Sequence, residues 1–528
     1  MTLVYQRLRA PVEDGQSLQI PAISDFVETL GDNRRRLSGH SFQLAGRSIE
    51  QLRTVARSEL VELARRWSSS YRDVNVPADW ASVVMSGHQP TLFHPGVWFK
   101  NVVLDHVAAK SGSVAINLVV DNDHQQLRSI RVPIGDIDQP GIDLVRFDSK
   151  NSEAPFEAEK LYDSSMFATF GDRVATTLGK FVPQPLIHQL WPHVLNALPQ
   201  SKQPSIAIAA GRHRLEQDFG MNTLEVPLSS ICKTESFAAF ASELLMRAEE
   251  FRQVYNQTLN EYRLLHGIRS VSHPVPSLRE IEGWIELPFW VWSKQATDAT
   301  PSRKPLFVRK NGSGFTISDL GSDMGSVSVD LDASDLSLQV AELDSKGVCL
   351  RTRALTTTMY SRLVLSDAFL HGIGGAKYDE VTDQIVKRFF SIEPPVYHTI
   401  TATHRLPILH SPTTFADVQA LNIHQRSLAF HAERFVDPQN DAVAELVKQK
   451  RDLIASIPVT GSKKDWHDKV SAINTRLRGM VSDQSERVAA EIEAARHRYR
   501  ASQLLGSREF SFCLFDAGLA ERMKSGLA

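Results

Sequence analysis

The sequence predicts an α/β protein: a parallel-sheet core, a β-rich insertion, and a long carboxyl-terminal pair of antiparallel helices. Three observations predict it. Residues 81–125 read as strand, turn-rich connection, helix and strand, a unit whose crossover joins parallel strands. Residues 270–350 carry Pro274, Pro276, Pro288, Pro301 and Pro305 between runs such as WIELPFWVW and PLFVRK, a strand-and-turn texture. Residues 437–505 place apolar side chains at three- and four-residue steps in two segments joined by PVTGS, the pattern of a helical hairpin.

Composition bounds the rest. At about 150 residues per domain, 528 residues make two to four domains. Hydrophobic residues at 42 % and charged residues at 23 % match ordinary globular usage and exclude collagen-like and disordered chains. Lys+Arg at 59 against Asp+Glu at 61 leaves a net charge of −2. A chain that coats a polyanion is more basic, so nucleic acid is not the expected partner. Three cysteines, Cys232, Cys349 and Cys513, make neither a disulfide framework nor a Cys-x-x-Cys motif. The amino terminus lacks an export signal, and no apolar run approaches the ~20 residues of a membrane helix. The expectation is a cytoplasmic, multidomain protein with no membrane partner.

Along the chain, residues 1–80 form an amino-terminal helical segment joining the core, with the helix itself over 47–67. Residues 81–269 are the first part of the core. Within it ASVVMSG reads as a buried strand and GVWFKNVVLDHVAAKSG as a helix, with Pro95 in its first turn and Gly112 closing it. SVAINLVV is the next strand, IAIAAGR and LEVPLSS are further short strands, and 235–265 is one long helix. Residues 270–350 are the insertion, and 351–436 return to the core with a glycine-rich turn. The hairpin follows over 437–505, its second helix running unbroken from about Asp465 to Ser502. Residues 506–528 pack back on the core, with SREFSFCLF as a terminal strand.

Candidate chemistry falls at strand ends, where open parallel sheets bind ligands. His88 and Gln89 follow the first strand, His94 and Gly96 open the helix, and Asp121, Asp123 and His124 follow the second strand. The helix amino terminus suits phosphate. His88 and His94 would donate to phosphate oxygens, Gly96 would admit an adenine, and Lys100 lies one turn further along. Asp121 and Asp123 would orient an amine or hydroxyl, or hold Mg²⁺ through water; the alternative is plain turn and cap chemistry. His124 suits a general base. The turn His371-Gly372-Ile373-Gly374-Gly375-Ala376-Lys377 is a second candidate, with Lys377 and the pair Asp379/Glu380 completing a polar pocket; ordinary turn geometry is the other reading. Arg351 and Arg353 pair with an anionic substrate group or stand as ordinary surface arginines. The His and Asp spacings match no standard zinc set.

Two resemblances attach to these residues. PTLFHPGVWFKNVVLDHVAAKSGSVAINLVVDNDHQ resembles the nucleotide-binding half of class I aminoacyl-tRNA synthetases and related nucleotidylyl transferases. His94-Pro95-Gly96 matches the start of their His-x-Gly-His motif, Val97 stands at the second histidine, and no Lys-Met-Ser-Lys-Ser loop follows. The chain also resembles the cysteine-adding enzymes of bacillithiol synthesis. Gly87-His88-Gln89, Leu92-Phe93, Lys100, Asp123-His124, Ile373-Gly374-Gly375 and the 440–505 segment run in that family's order over most of the chain. It departs where His88 replaces a glutamine, Asn122 enters the acidic cluster, and Ala376-Lys377 replaces Pro-Gly.

The second resemblance implies a Rossmann-like core and a coiled-coil arm able to form a homodimer. It also implies a ligase that joins the carboxyl of cysteine to the amine of a sugar-derived acceptor. ATP, with Mg²⁺, is the implied cofactor, because a free carboxylate is a poor electrophile and an acyl-adenylate is not. Asp123, His124 and His94 would be catalytic; His88, Gln89, Gly96, Lys100, Asp121, Gly372, Gly374, Gly375 and Lys377 would bind nucleotide and substrate. Two rivals stand beside it: a catalytically silent nucleotide- or metabolite-binding protein with a helical docking arm, and a sugar-nucleotide transferase.

Overall fold

The computed structural model describes all residues except 1–7, 41, 125–126, 295–300, 323–325, 410–411, 438 and 528. It is a mixed α/β structure that divides into two compact units. The larger comprises 1–132, 144–405 and 508–528, and the smaller 133–143 and 406–507.

The larger unit holds a six-stranded sheet: β1 (Ser17–Ile20), β2 (Val83–His88), β3 (Val114–Val119), β4 (Leu224–Pro227), β5 (Ala368–His371) and β6 (Tyr397–Ala402). Its order is β1-β6-β5-β2-β3-β4. Strands β2 to β6 are mutually parallel, and β1 runs antiparallel along the edge of β6. All six residues of β3 are buried, as a strand covered on both faces requires. The register Val83↔Val114 to His88↔Val119 brings the carboxyl ends of β2 and β3 level.

Helix α1 (Ile49–Ser68) starts at a Ser48/Gln51 capping box and covers the 47–67 segment. Helix α2 (Pro95–Ser111) follows β2, with Pro95 in its first turn. Gly112 ends it at φ +62°, a left-handed position that a Cβ disfavours. IAIAAGR is helix, not strand: it lies in α3 (Pro204–Asp218). Every residue from Ile206 to His213 is buried, so no amphipathic stripe distinguished a helix from a buried strand. The 235–265 segment is two helices, Glu235–Met246 and Ala248–Leu265, meeting at Arg247. Helix α4 (Ile373–Phe389) rises directly from β5 through the glycine turn.

The insertion is a second, antiparallel sheet. Its main strands are Trp284–Ser293, Lys304–Asn311, Gly314–Ser318, Ser328–Leu331 and Val348–Thr352. The Trp284–Ser293 strand slips register between Leu287 and Trp290, at Pro288, which has no N–H for the ladder. One buried apolar cluster runs from both sheets into α1 and the 235–265 helices. SREFSFCLF is not a strand: Phe512–Leu514 is a short 3-10 turn. Its alternating aromatics form a plug, with Phe512 against Phe93 at 5.6 Å and Trp98 at 4.9 Å.

In the smaller unit the segment expected as one helix breaks at Met480 and Val481 into Lys464–Gly479 and Ser482–Leu505. Helices Phe415–Phe430 and Asp441–Ala455 complete a four-helix arrangement around Leu428, Leu446, Ile473, Leu477, Val488 and Ile492. The apolar seam changes phase between Met480 and Val488, and the chain turns at that point instead of continuing as one rod. Among the described residues no helix is long and apolar enough to cross a membrane.

Candidate active site

In chain order the parallel strands run outward from β2 in two directions, β3-β4 on one side and β5-β6 on the other. Between β2 and β5 the crossovers therefore diverge, and a crevice opens at their carboxyl ends. A cavity of about 440 Å³ lies there, within the range of small-molecule sites. Gly87, His88 and Gln89 line it from β2, Asn122 and Asp123 from the end of β3, and His371 and Gly375 from β5 and α4. The second sheet supplies Pro288 and Trp290, and the residues flanking its strands supply Arg303 and Arg353. Three of the strand ends singled out in the sequence thus meet in one cavity.

Asp123 anchors a polar cluster. Gln89 donates to its Oδ2 at 2.9 Å, and Arg303 Nη1 and the His124 N–H each reach Oδ1 at 2.9 Å. Arg303 also donates to Asn122 O at 3.0 Å and to His124 Nδ1 at 2.5 Å. His124 Nδ1 is therefore occupied as an acceptor and is not the free base the sequence suggested. Its ring turns to an adjoining cavity of about 260 Å³ beside Thr91, Leu92 and Phe156.

Trp290 carries two guanidiniums near its ring, Arg353 at 4.2 Å and Arg303 at 4.9 Å from the centroid. Arg353 pairs with Glu286 at 2.8 Å, while its buried Nε has no hydrogen-bond partner among the described residues. Arg351 is fully buried and structural, fixed to Glu157 at 2.8 Å and Asp344 at 3.0 Å.

His88 is buried between Gln89 O at 3.1 Å and Asn101 Oδ1 at 3.2 Å. Burial, reinforced by Arg212 and Lys100, pushes its ring well below the ordinary histidine value, so it brings no positive charge to a phosphate. Lys100 donates to Gly87 O at 2.8 Å, and its aliphatic end lies 3.9 Å from where a Cβ on Gly372 would stand. Burial and then Arg212 push its ammonium down to about 8.

Several expected residues lie elsewhere. His94 is the N-cap of α2, its Nδ1 accepting from the Gly96 N–H at 3.1 Å. A Cβ on Gly96 would come within 2.4 Å of Ala402 O and 2.5 Å of Arg508 Nη2. This helix end is capped and covered by protein, so Gly96 serves close packing and not the approach of an adenine. Asp121 is buried away from the cavity lining, with both oxygens taken by the Ser229 N–H and hydroxyl. It does not form a cation cradle with Asp123. Gly374 and Lys377 are exposed on the outer side of α4, leaving Gly375 as the glycine of that turn that lines the cavity. Among the described residues no three His, Cys, Asp or Glu side chains gather to hold a metal ion.

No protein-family model and no curated protein matches this chain. The site therefore rests on its own geometry. Sequence reading missed Trp290 and Arg303, which arrive from the inserted sheet some 170 residues beyond Asp123 with no local spacing to reveal them. It named His371 and Asp379 without seeing that the fold joins them: His371 Nε2 donates to Asp379 Oδ2 at 2.6 Å. The available signal was their separation, strand end to second helical turn, which folds the carboxylate back over the imidazole.

Proposed function

We propose that the cavity is the active site of an amide-forming ligase. It joins the carboxyl of a cysteine-like amino acid to the amine of a sugar-derived acceptor, with ATP as the activating cosubstrate. The observation that carries this reading is the convergence of Gln89, Asp123, Arg303, Arg353 and His371 on one cavity where the strand order reverses. Numbered by first appearance, the five parallel strands lie in the order 3-2-1-4-5, which supports reading the core as Rossmann-like with a ligand at the reversal point. The resemblance to the cysteine-adding enzymes of bacillithiol synthesis supports the same class of reaction.

The residues fit an anionic cosubstrate in two respects. Arg353 Nε is a buried donor without a partner among the described residues, a costly state that an anionic oxygen would relieve. Gly375, in the first turn of α4, lines the cavity at the amino end of the helix, the end that favours negative charge. Arg303 and Arg353 would hold carboxylate or phosphoryl charge; Asp123 retains acceptor capacity for an N–H of the acceptor amine. ATP supplies the activation of the carboxyl, and Mg²⁺ would ride on its phosphates without a cradle from Asp121.

Incubation with ATP, cysteine and an amino-sugar, followed by mass spectrometry, tests this. Expected are an amide product and a matching amount of ADP or AMP, with turnover falling about 10²-fold in Asp123→Ala as the amine loses its positioning acceptor. Ligand binding with no product would select the silent metabolite-binding protein instead. The smaller unit does not favour the coiled-coil homodimer: Ile473, Leu477, Val488 and Ile492 are enclosed within one chain's helices, so a dimer there would need another face.

A further inference from the structure

We infer that His371 is the general base of this cavity, its Nδ1 taking the proton that the acceptor amine loses as it attacks. The inference rests on the ligase reading and assigns the base to a residue other than the Asp123/His124 pair.

The argument begins with Asp379. It is fully enclosed, and its carboxylate accepts from Thr358 Oγ1 at 2.6 Å, Arg362 Nη1 at 2.8 Å and His371 Nε2 at 2.6 Å. Burial alone would raise this carboxyl, but His371 and Arg362 outweigh it and hold the group below the ordinary carboxylate range. An ionised carboxylate only accepts hydrogen bonds. The proton between the two residues therefore sits on His371 Nε2. Burial also pushes the His371 ring below the ordinary histidine value, against the pull of Asp379. The neutral ring then has its lone pair on Nδ1, the arrangement in which a buried Asp sets the tautomer of a catalytic His.

Nδ1 makes no hydrogen bond among the described residues. It faces Gly375, where an added Cβ would come within 2.5 Å of it. His371 and Gly375 both line the cavity, and any other residue at 375 would cover the nitrogen. Phe369 at 4.6 Å and Tyr397 at 5.0 Å fix the ring plane. Lys100 and Arg362 are the cations that act on the ring, and both favour its neutral form.

In the step assigned here, the amine nitrogen forms a bond to the activated acyl carbon. The acyl carbon–oxygen bond to the phosphate-bearing leaving group breaks, and that group keeps the electron pair. The proton shed by nitrogen goes to Nδ1, and the imidazolium is stabilised by Asp379. Asp379 is a positioning residue, acting through His371.

Two measurements on the full chain decide it. The two-bond ¹H–¹⁵N spectrum of histidine-labelled protein reads the tautomer directly, with His371→Gln used for assignment. The neutral Nε2–H form is expected at pH 7, and Asp379→Asn is expected to change it. In the ligation assay His371→Gln should lower kcat by about 10²- to 10⁴-fold with KM little changed, and Asp379→Asn should follow in kcat. An Nδ1–H tautomer, or a soluble His371→Gln protein of full kcat, overturns the inference and leaves the ligase reading standing. Wild-type protein that forms no amide overturns that reading, and this base with it.

Discussion

Asp121 and Asp123 stand two residues apart and answer to different neighbours. Asp123 is held by Gln89 and Arg303 at the cavity. Asp121 is enclosed, and burial, with Glu157 nearby, pushes its carboxyl up to about 7. The native state thus keeps a proton that the unfolded chain releases near pH 4. The stability this contributes is complete below that pH and lost as pH rises through about 7. Relative to wild type, Asp121→Asn should therefore gain stability between pH 5 and pH 8 in urea unfolding; a difference independent of pH would contradict the assignment. His94 carries the opposite lesson. An anion-binding histidine and an N-cap histidine look alike in sequence, and here the imidazole accepts the Gly96 N–H. His94→Ala should cost about 1 kcal/mol in thermal unfolding while leaving ligand affinity unchanged.

Elements were legible where their apolar pattern had one meaning. The strand-helix-strand unit over 81–119 has an N-cap, a first-turn proline and a left-handed closing glycine at the expected places. Helix α3 was misread because it is buried all round, leaving no polar face to mark a 3.6-residue period. Its packing makes a separate prediction. A Cβ on Gly211 would come within 2.5 Å of Val194 Cγ2 and 2.7 Å of Val194 N. The helix Ile187–Ser201 thus approaches α3 at backbone distance. Gly211→Ala should destabilise the protein by about 1–3 kcal/mol, seen as a lowered Tm; an unchanged Tm would show that the helices move apart freely. The terminal aromatics were misread for a related reason, since alternation suits a plug of Phe side chains as well as a strand.

At the scale of the molecule, chain order hid what the fold assembles. The cavity draws on residues from Gly87 to Asp379; Trp290 and Arg303 come from the insertion between two halves of the core, and Arg353 from the helix cap that follows it. Local spacing cannot report such meetings. Every lining residue belongs to the larger unit, while the smaller has its own apolar core. Leu477→Ala, at a fully buried position, should cost about 2–5 kcal/mol in the smaller unit. Calorimetric titration should find ligand binding at the cavity unaltered; a loss of affinity would mean that the site depends on both units.

Hydrogen exchange followed by mass spectrometry, with and without ATP, cysteine and an amino-sugar, locates the ligands on the chain. Slower exchange is predicted at 87–89, 122–123, 352–358 and 371–379, the segments that line the cavity. Unchanged exchange there, with protection appearing at 94–96 or in the smaller unit instead, would contradict placing the reaction where the strand order reverses.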